Sequence, residues 1–327
     1  MKKCNFLVML LVLAGLVTSC SQDDSIDSQN SENNRVTISA NLGDEVETLL
    51  KSGPQTRATG DLQVSGYSLR YILEVWDESD AVAYREEKLI TDASQAVTFD
   101  FHLSTAGDYT ALLWADYVLS GATANGEGHY SDLYYTTNAN IGLKRISIIS
   151  SAYAVNTPSR DAFFGKSLFT KTDGVAGDAG TVIMRRPFGR INIIEKNEAM
   201  LPDLMFINNL SYDVPSSFNV LDGSVSDTYS VFLFSITSFP EGTTEKANLF
   251  YDYIFAPDNG QQLLSEIEMD YTLSGAFGNF TIPSNMPVER NKRTNISGNI
   301  LIDPNITGLS VEVVDEWTDP DITQEMQ

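Results

Sequence analysis

Apolar residues recur at every second position along most of this chain, and that period admits strands rather than helices. Val36, Ile38, Ala40 and Leu42 alternate with Thr37, Ser39 and Asn41, the pattern of a strand with one buried face. Residues 69–77 keep the alternation for most of their length, 97–103 repeat it, and 109–115 follow the turn-forming Ala106-Gly107-Asp108. Residues 118–130 are rich in Gly, Ala, Ser and Asn and read as a long connection, with 133–135 and 146–149 as short elements. Next come 167–169 and a glycine-rich hairpin at 174–180 that leads into 181–185. A second strand series is expected at 189–195, 205–212, 230–235, 248–255, 265–273, 293–302 and 309–314. No stretch has the period of a long amphipathic helix. So many strands with turn signals between them predict an all-β protein of sandwich type.

The N-terminus constrains where such a fold operates. Lys2 and Lys3 precede an apolar run from Phe6 to Val17, and Leu16-Val17-Thr18-Ser19-Cys20 form a lipobox. These are the parts of an export signal, and the run falls short of the roughly 20 apolar residues a spanning helix needs. The expectation is a signal peptide over 1–19, cleavage between Ser19 and Cys20, and acylation of Cys20 with chains of the palmitate kind. Several acyl chains exceed the marginal hold of one. Cys4 leaves with the signal, so Cys20 has no disulfide partner. Residues 20–34 are polar and acidic with Ile26 as the single aliphatic side chain, and read as a disordered tether.

Charge excludes other partners. The chain has 21 basic and 44 acidic residues, a net charge of −23. It offers no basic surface for nucleic acid or anionic lipid, and acidity alone does not indicate a metal. Without an internal disulfide the fold relies on buried apolar area, for which roughly 290 residues suffice. Two domains of ordinary size are expected. Pro187 interrupts an apolar run and marks the joint, giving 35–186, 187–314 and an acidic tail at 315–327 that contains Trp317.

Enzyme chemistry finds little support. His102 and His129 are the two histidines, 27 positions apart with no cysteine nearby, which is not a metal-ligand spacing. There is no Gly-x-Ser-x-Gly elbow, phosphate loop or calcium loop. Asp77-Glu78-Ser79-Asp80 fits an acidic turn between strands better than a cation site. Two carboxylates at glycosidase spacing remain open among so many acids, although the missing α/β pattern speaks against them. No catalytic residue, metal or cofactor is expected. Tyr130, Tyr134 and Tyr135 either stack on sugars or belong to a half-buried strand.

One order of segments runs through nearly the whole chain. It comprises the lipobox, the acidic tether, the alternating first strand, residues 55–59, Arg185-Arg186-Pro187-Phe188-Gly189-Arg190-Ile191-Asn192-Ile193, residues 290–301 and a terminal Trp317. This order resembles the fimbrillin-like lipoproteins of Bacteroides-type bacteria, and 161–165 with 290–294 look most like an uncharacterised branch of them. The resemblance implies two tandem transthyretin-like, Greek-key β-sandwich domains and a place on the outer membrane, facing outward. The acidic residues after Cys20 resemble the surface-export signal of such lipoproteins, and Asp24-Ser25-Ile26 matches their short O-glycosylation pattern at Ser25.

In shaft subunits of that family an arginine-specific protease removes an N-terminal strand, and the vacated groove accepts a strand from a neighbour. Carried over, the removable strand is 36–42, the cut falls between Arg57 and Ala58, and the donor is 309–314, with Leu309, Val311 and Val313. Two readings stand for each. Arg57 lies in a Gly- and Pro-containing stretch that makes an exposed linker whatever its purpose; left uncut, 36–42 is permanent and the protein is an anchor or stands alone. The C-terminal valines either donate or complete their own sandwich. The expected function is a surface lipoprotein subunit of fimbriae (shaft, tip or anchor) with a role in adhesion, its partners being membrane lipid and other subunits. The alternative is a stand-alone binding module for a glycan or host ligand.

Overall fold

The computed structural model describes residues 32–42, 64–90, 96–137, 141–240, 247–301 and 308–314. The first half supplies β1 (Arg35–Asn41), β2 (Tyr67–Asp77), β3 (Val82–Ile90), β4 (Val97–His102), β5 (Gly107–Leu119), β6 (Tyr135–Thr136), β7 (Ile146–Ile148), β8 (Ala162–Lys171) and β9 (Gly177–Ile183). One sheet has the order β4-β1-β9 and the facing sheet β3-β2-β5-β8. Between them lies a core containing Val36, Ile38, Ala40, Tyr71, Leu73, Val75, Phe99, Phe101, Phe163 and Met184. Alternation sends Tyr71, Leu73 and Val75 of β2 into this core, while Ile72 and Trp76 on its other face join a second apolar cluster. β2 is thus buried on both faces.

The second half contributes β10 (Phe188–Glu195), β11 (Leu204–Phe218), β12 (Val225–Ile236), β13 (Asn248–Phe255), β14 (Gln262–Leu263), β15 (Ile267–Leu273), β16 (Ala276–Ile282), β17 (Pro287–Val288), β18 (Arg293–Gly298) and β19 (Ser310–Val314). One sheet is β13-β10-β18-β19; in the other, β12, β11, β15 and β16 neighbour one another in that order. Their shared core includes Ile191, Ile193, Leu210, Tyr212, Phe250, Met269, Phe280 and Ile296. The molecule is all-β, built as two sandwiches.

Several boundaries differ from the sequence expectation. β5 runs to Leu119 because it pairs with every residue of β2, Tyr67 opposite Leu119 and Asp77 opposite Tyr109, so the connection begins at Ser120. β3 was not anticipated: Arg85, Glu86, Glu87 and Lys88 mask its alternation. β16 was also missed, since Gly278 and Asn279 read as turn residues. β11 continues through Pro215 to Phe218, opposite β12, beyond the point where β15 stops pairing at Ser211. β6 and β7 come from the first half of the chain, yet β7 pairs with β11 of the second, Phe218 opposite Ile146. Pro187 lies between β9 and β10, and its carbonyl accepts a bond from Ala256 N at 3.0 Å.

The sandwiches meet at an aromatic seam of Trp114, Tyr135, Phe164, Phe188, Phe218 and Phe255. Ring centroids are 4.7 Å apart for Phe164–Phe218, 4.9 Å for Phe188–Phe255 and 5.6 Å for Trp114–Tyr135. Offset and edge-on contacts of this kind add about 0.5–1.5 kcal/mol each beyond area burial.

Candidate functional site

β1 holds a distinctive place. It is the middle strand of its sheet, antiparallel to β4 on one side and parallel to β9 on the other. Val36, Ile38 and Ala40 are wholly buried, whereas Thr37 and Ser39 on the opposite face are half-exposed. Burying each of the two larger aliphatic side chains is worth about 1.5–3 kcal/mol. Gly177 lets β9 approach closely, since a Cβ there would sit 3.2 Å from Val36 Cγ2. Polar contacts fasten the outer face: Thr37 Oγ1 donates to Asp100 Oδ1 at 3.0 Å, Arg35 Nη2 to the same oxygen at 3.0 Å, and Ser39 and Thr98 hydroxyls lie 3.0 Å apart. The Thr37 hydroxyl, with Arg35, holds the Asp100 carboxyl below its ordinary range. Removing β1 would open a slot bordered by β4 and β9, floored by the facing sheet.

Of the residues expected to act on this strand, Arg57 and Ala58 lie outside the described residues, as do Ser19, Cys20 and Ser25. The candidate donor is described. β19 pairs antiparallel with β18, from Ser297 opposite Ser310 to Arg293 opposite Val314, and lies at the edge of its sheet. Val311 is 40% exposed, Val313 is half-buried, and Leu309 packs partly against the second core. β1 and β19 therefore belong to different sandwiches, and within one molecule they do not meet.

The three tyrosines lie in different settings, Tyr130 and Tyr134 half-buried and Tyr135 buried. Tyr135 is buried in the seam, Tyr134 Oη is 2.7 Å from Ser159 Oγ, and Tyr130 N donates to Glu87. Trp114, Phe188 and Phe255, packed around Tyr135, are what exclude it from the surface. His129 Nδ1 lies 3.1 Å from Glu87 Oε1, and His102 lies on β4 with its side chain outward. Asp77 closes the β2–β3 turn by accepting from Ser79 Oγ at 2.7 Å, Ser79 N at 2.9 Å and Ala81 N at 3.0 Å; the Ser79 hydroxyl is the main reason its carboxyl titrates low. Among the described residues, no group of three or more His, Cys, Asp or Glu is arranged to hold a metal.

Sequence reasoning missed the buried ionic clusters. Arg70 on β2 donates to Asp116 at 2.8 and 2.9 Å, to Asp132 at 2.9 Å and to the Tyr130 carbonyl at 3.0 Å. It thereby pins the 120–137 connection over the outer face of the sheet. In the second sandwich Asp252 accepts from Arg160, Tyr153 and, at 2.6 Å, Tyr212. Burial, with the Asp252 charge, pushes both phenols well up. Three of the segments singled out in the sequence, 161–165, 185–193 and 290–301, converge on the seam: Arg186 Nη2 pairs with Asp161 at 2.8 Å, Arg290 lies over the Phe164 ring at 4.9 Å, and Asn291 N donates to the Phe188 carbonyl at 2.7 Å. The three arginines gathered around Phe188 in 185–193 were the sequence signal of this junction.

Among solved structures, the chain is similar to a fimbrial assembly protein from Parabacteroides distasonis ATCC 8503, with 13% identity, a TM-score of 0.44, and coverage of 85% of this chain and 94% of that one. It is also similar to the fimbrial anchor protein Mfa2 from Porphyromonas gingivalis, with 10% identity, a TM-score of 0.43, and coverage of 86% and 98%. Among curated proteins, none matches this sequence. Residues 28–327 match the family of unknown function DUF6562, and with nearly the whole chain inside that match, the protein belongs to this family.

Proposed function

We propose that this protein is a non-enzymatic subunit of a fibre on the bacterial surface, delivered as a lipoprotein through Cys20 and joined to other subunits by strand exchange at the position of β1. The observation that carries this reading is the setting of β1. It is a middle strand with every core-facing side chain buried, and residues 42–66, which include Arg57, link it to β2. Cleavage in that link would free a strand whose loss leaves two strand edges and one apolar slot unfilled. An incoming strand would then regain a main-chain ladder on both sides and bury its alternate side chains. The segment order that resembles fimbrillin-like lipoproteins supports the same reading. A stand-alone surface module that binds a glycan or host ligand is the second reading, favoured by β19 completing its own sheet.

Cleavage of the 21–327 chain with an arginine-specific protease separates the two. The strand-exchange reading expects the 58–327 product to bind a labelled peptide of residues 308–327, while the uncut chain does not. The stand-alone reading expects no binding by either form.

A further inference from the structure

β12 is an unpartnered edge of unusual character. Among the described residues it pairs with β11 alone, so one whole side of a 12-residue strand presents unpaired main-chain groups. Phe232 and Phe234 stand side by side on its outer face, 60% and 71% exposed. Their β11 neighbours, Ser211 and Asn209, are too small to cover them. Residues 228–240 carry no charge in a chain of net charge −23. Two edges of the first sandwich are defended: β3 carries Arg85, Glu86, Glu87 and Lys88, and β4 carries Asp100, the usual protection against edge pairing.

We propose that a second copy of this chain pairs with the free edge of β12, antiparallel about a two-fold axis at Phe232, so that the sheets of two copies become one. A strand edge is completed by another strand, which fixes the chemistry of the partner. Two copies of so acidic a chain repel over most of their surface, and this edge is a place where they meet without opposed charges. The left-handed residues Asp227 and Ser235 bound the regular stretch 228–234. Centring the pairing at Phe232 sets Phe232 against its own copy, Val231 against Leu233 and Phe234 against Ser230. Each Phe234 then lies diagonal to the partner's Phe232, within reach of an aromatic contact. A two-fold interface of this kind closes on itself and stops at a dimer. β16, another edge of the sheet, is also uncharged, but it has seven residues and Gly278 near its centre, which breaks the row of side chains. This dimer does not depend on strand exchange at β1.

The test uses the 21–327 chain, which contains no cysteine. Sedimentation equilibrium is expected to give a dimer, and Phe232→Lys to raise its dissociation constant at least about 30-fold, the loss of one aromatic hot spot. Under mild oxidation Phe232→Cys is expected to form a disulfide-linked dimer. Phe234→Cys alone is not, yet it cross-links when mixed with Ser230→Cys. Both phenylalanines are exposed, and unchanged circular dichroism and melting temperature establish that the variants fold. A wild-type monomer throughout the concentration series would overturn the proposal. So would a dimer indifferent to Phe232→Lys, or Phe232→Cys that fails to cross-link.

Discussion

At the scale of single residues, the polar groups inside the second sandwich depend on Asp252. It lies on β13, wholly buried, and balances the equally buried Arg160 while accepting from two tyrosine hydroxyls. Removing one partner of a buried pair leaves an uncompensated charge, so Asp252→Ala is expected to cost about 3–5 kcal/mol, measured by urea denaturation; a cost under about 1 kcal/mol would contradict the pairing. Gly189 is a second sensitive position, because a Cβ there would meet the Glu289 carbonyl oxygen at 2.5 Å. Gly189→Ala is expected to destabilise by about 1–3 kcal/mol, as overpacking does, and a neutral melt would contradict it. Neither effect was legible in the sequence. Alternation identifies Asn248–Phe255 as a strand, but it cannot say that the aspartate within it faces a buried arginine 92 positions away. The full burial of Tyr135 was not legible for the same reason, since what covers it comes from β5, β10 and β13.

At the scale of elements, β1 and β19 differ in how they are held. β1 is fixed by burial on one face and by Arg35, Thr37 and Asp100 on the other. Because the folded Asp100 carboxyl titrates below its unfolded value, its contribution is present above the unfolded range, near about 3.9, and is lost as pH falls through the folded value. Asp100→Asn is therefore expected to lower the unfolding midpoint at pH 7 and to match the wild type at pH 2; an equal difference at both would contradict this assignment. β19 has two half-buried side chains and three exposed ones. Ending the chain at Gly308 is expected to leave both sandwiches folded, with a melting temperature lower by a few degrees, about 1 kcal/mol; global unfolding would show that β19 is integral to its sheet. The sequence identified both strands because each alternates cleanly. It missed β3, where charged residues lie on the outward face and, buried, against Arg70.

At the scale of the whole molecule, two sandwiches share an aromatic seam, and three of the segments singled out in the sequence meet there. Pairing of Asp161 with Arg186 and stacking of Phe188 on Phe255 explain why those residue types lie near the joint. The all-β sandwich architecture was readable from the number of alternating strands. Short elements were expected where β6 and β7 lie, but their crossing to β11 was not, because strands of two and three residues carry no pattern that names a partner. β1 was readable as a strand, and its place between β4 and β9 means that its loss would expose two strand edges at once. The proposed strand exchange requires cleavage after Arg57 and loss of this strand. Intact-mass and N-terminal analysis of protein taken from the native cell surface tests it most directly. The account predicts molecules that begin at Ala58 and carry no lipid. Acylated Cys20 at the N-terminus of essentially every molecule would contradict it.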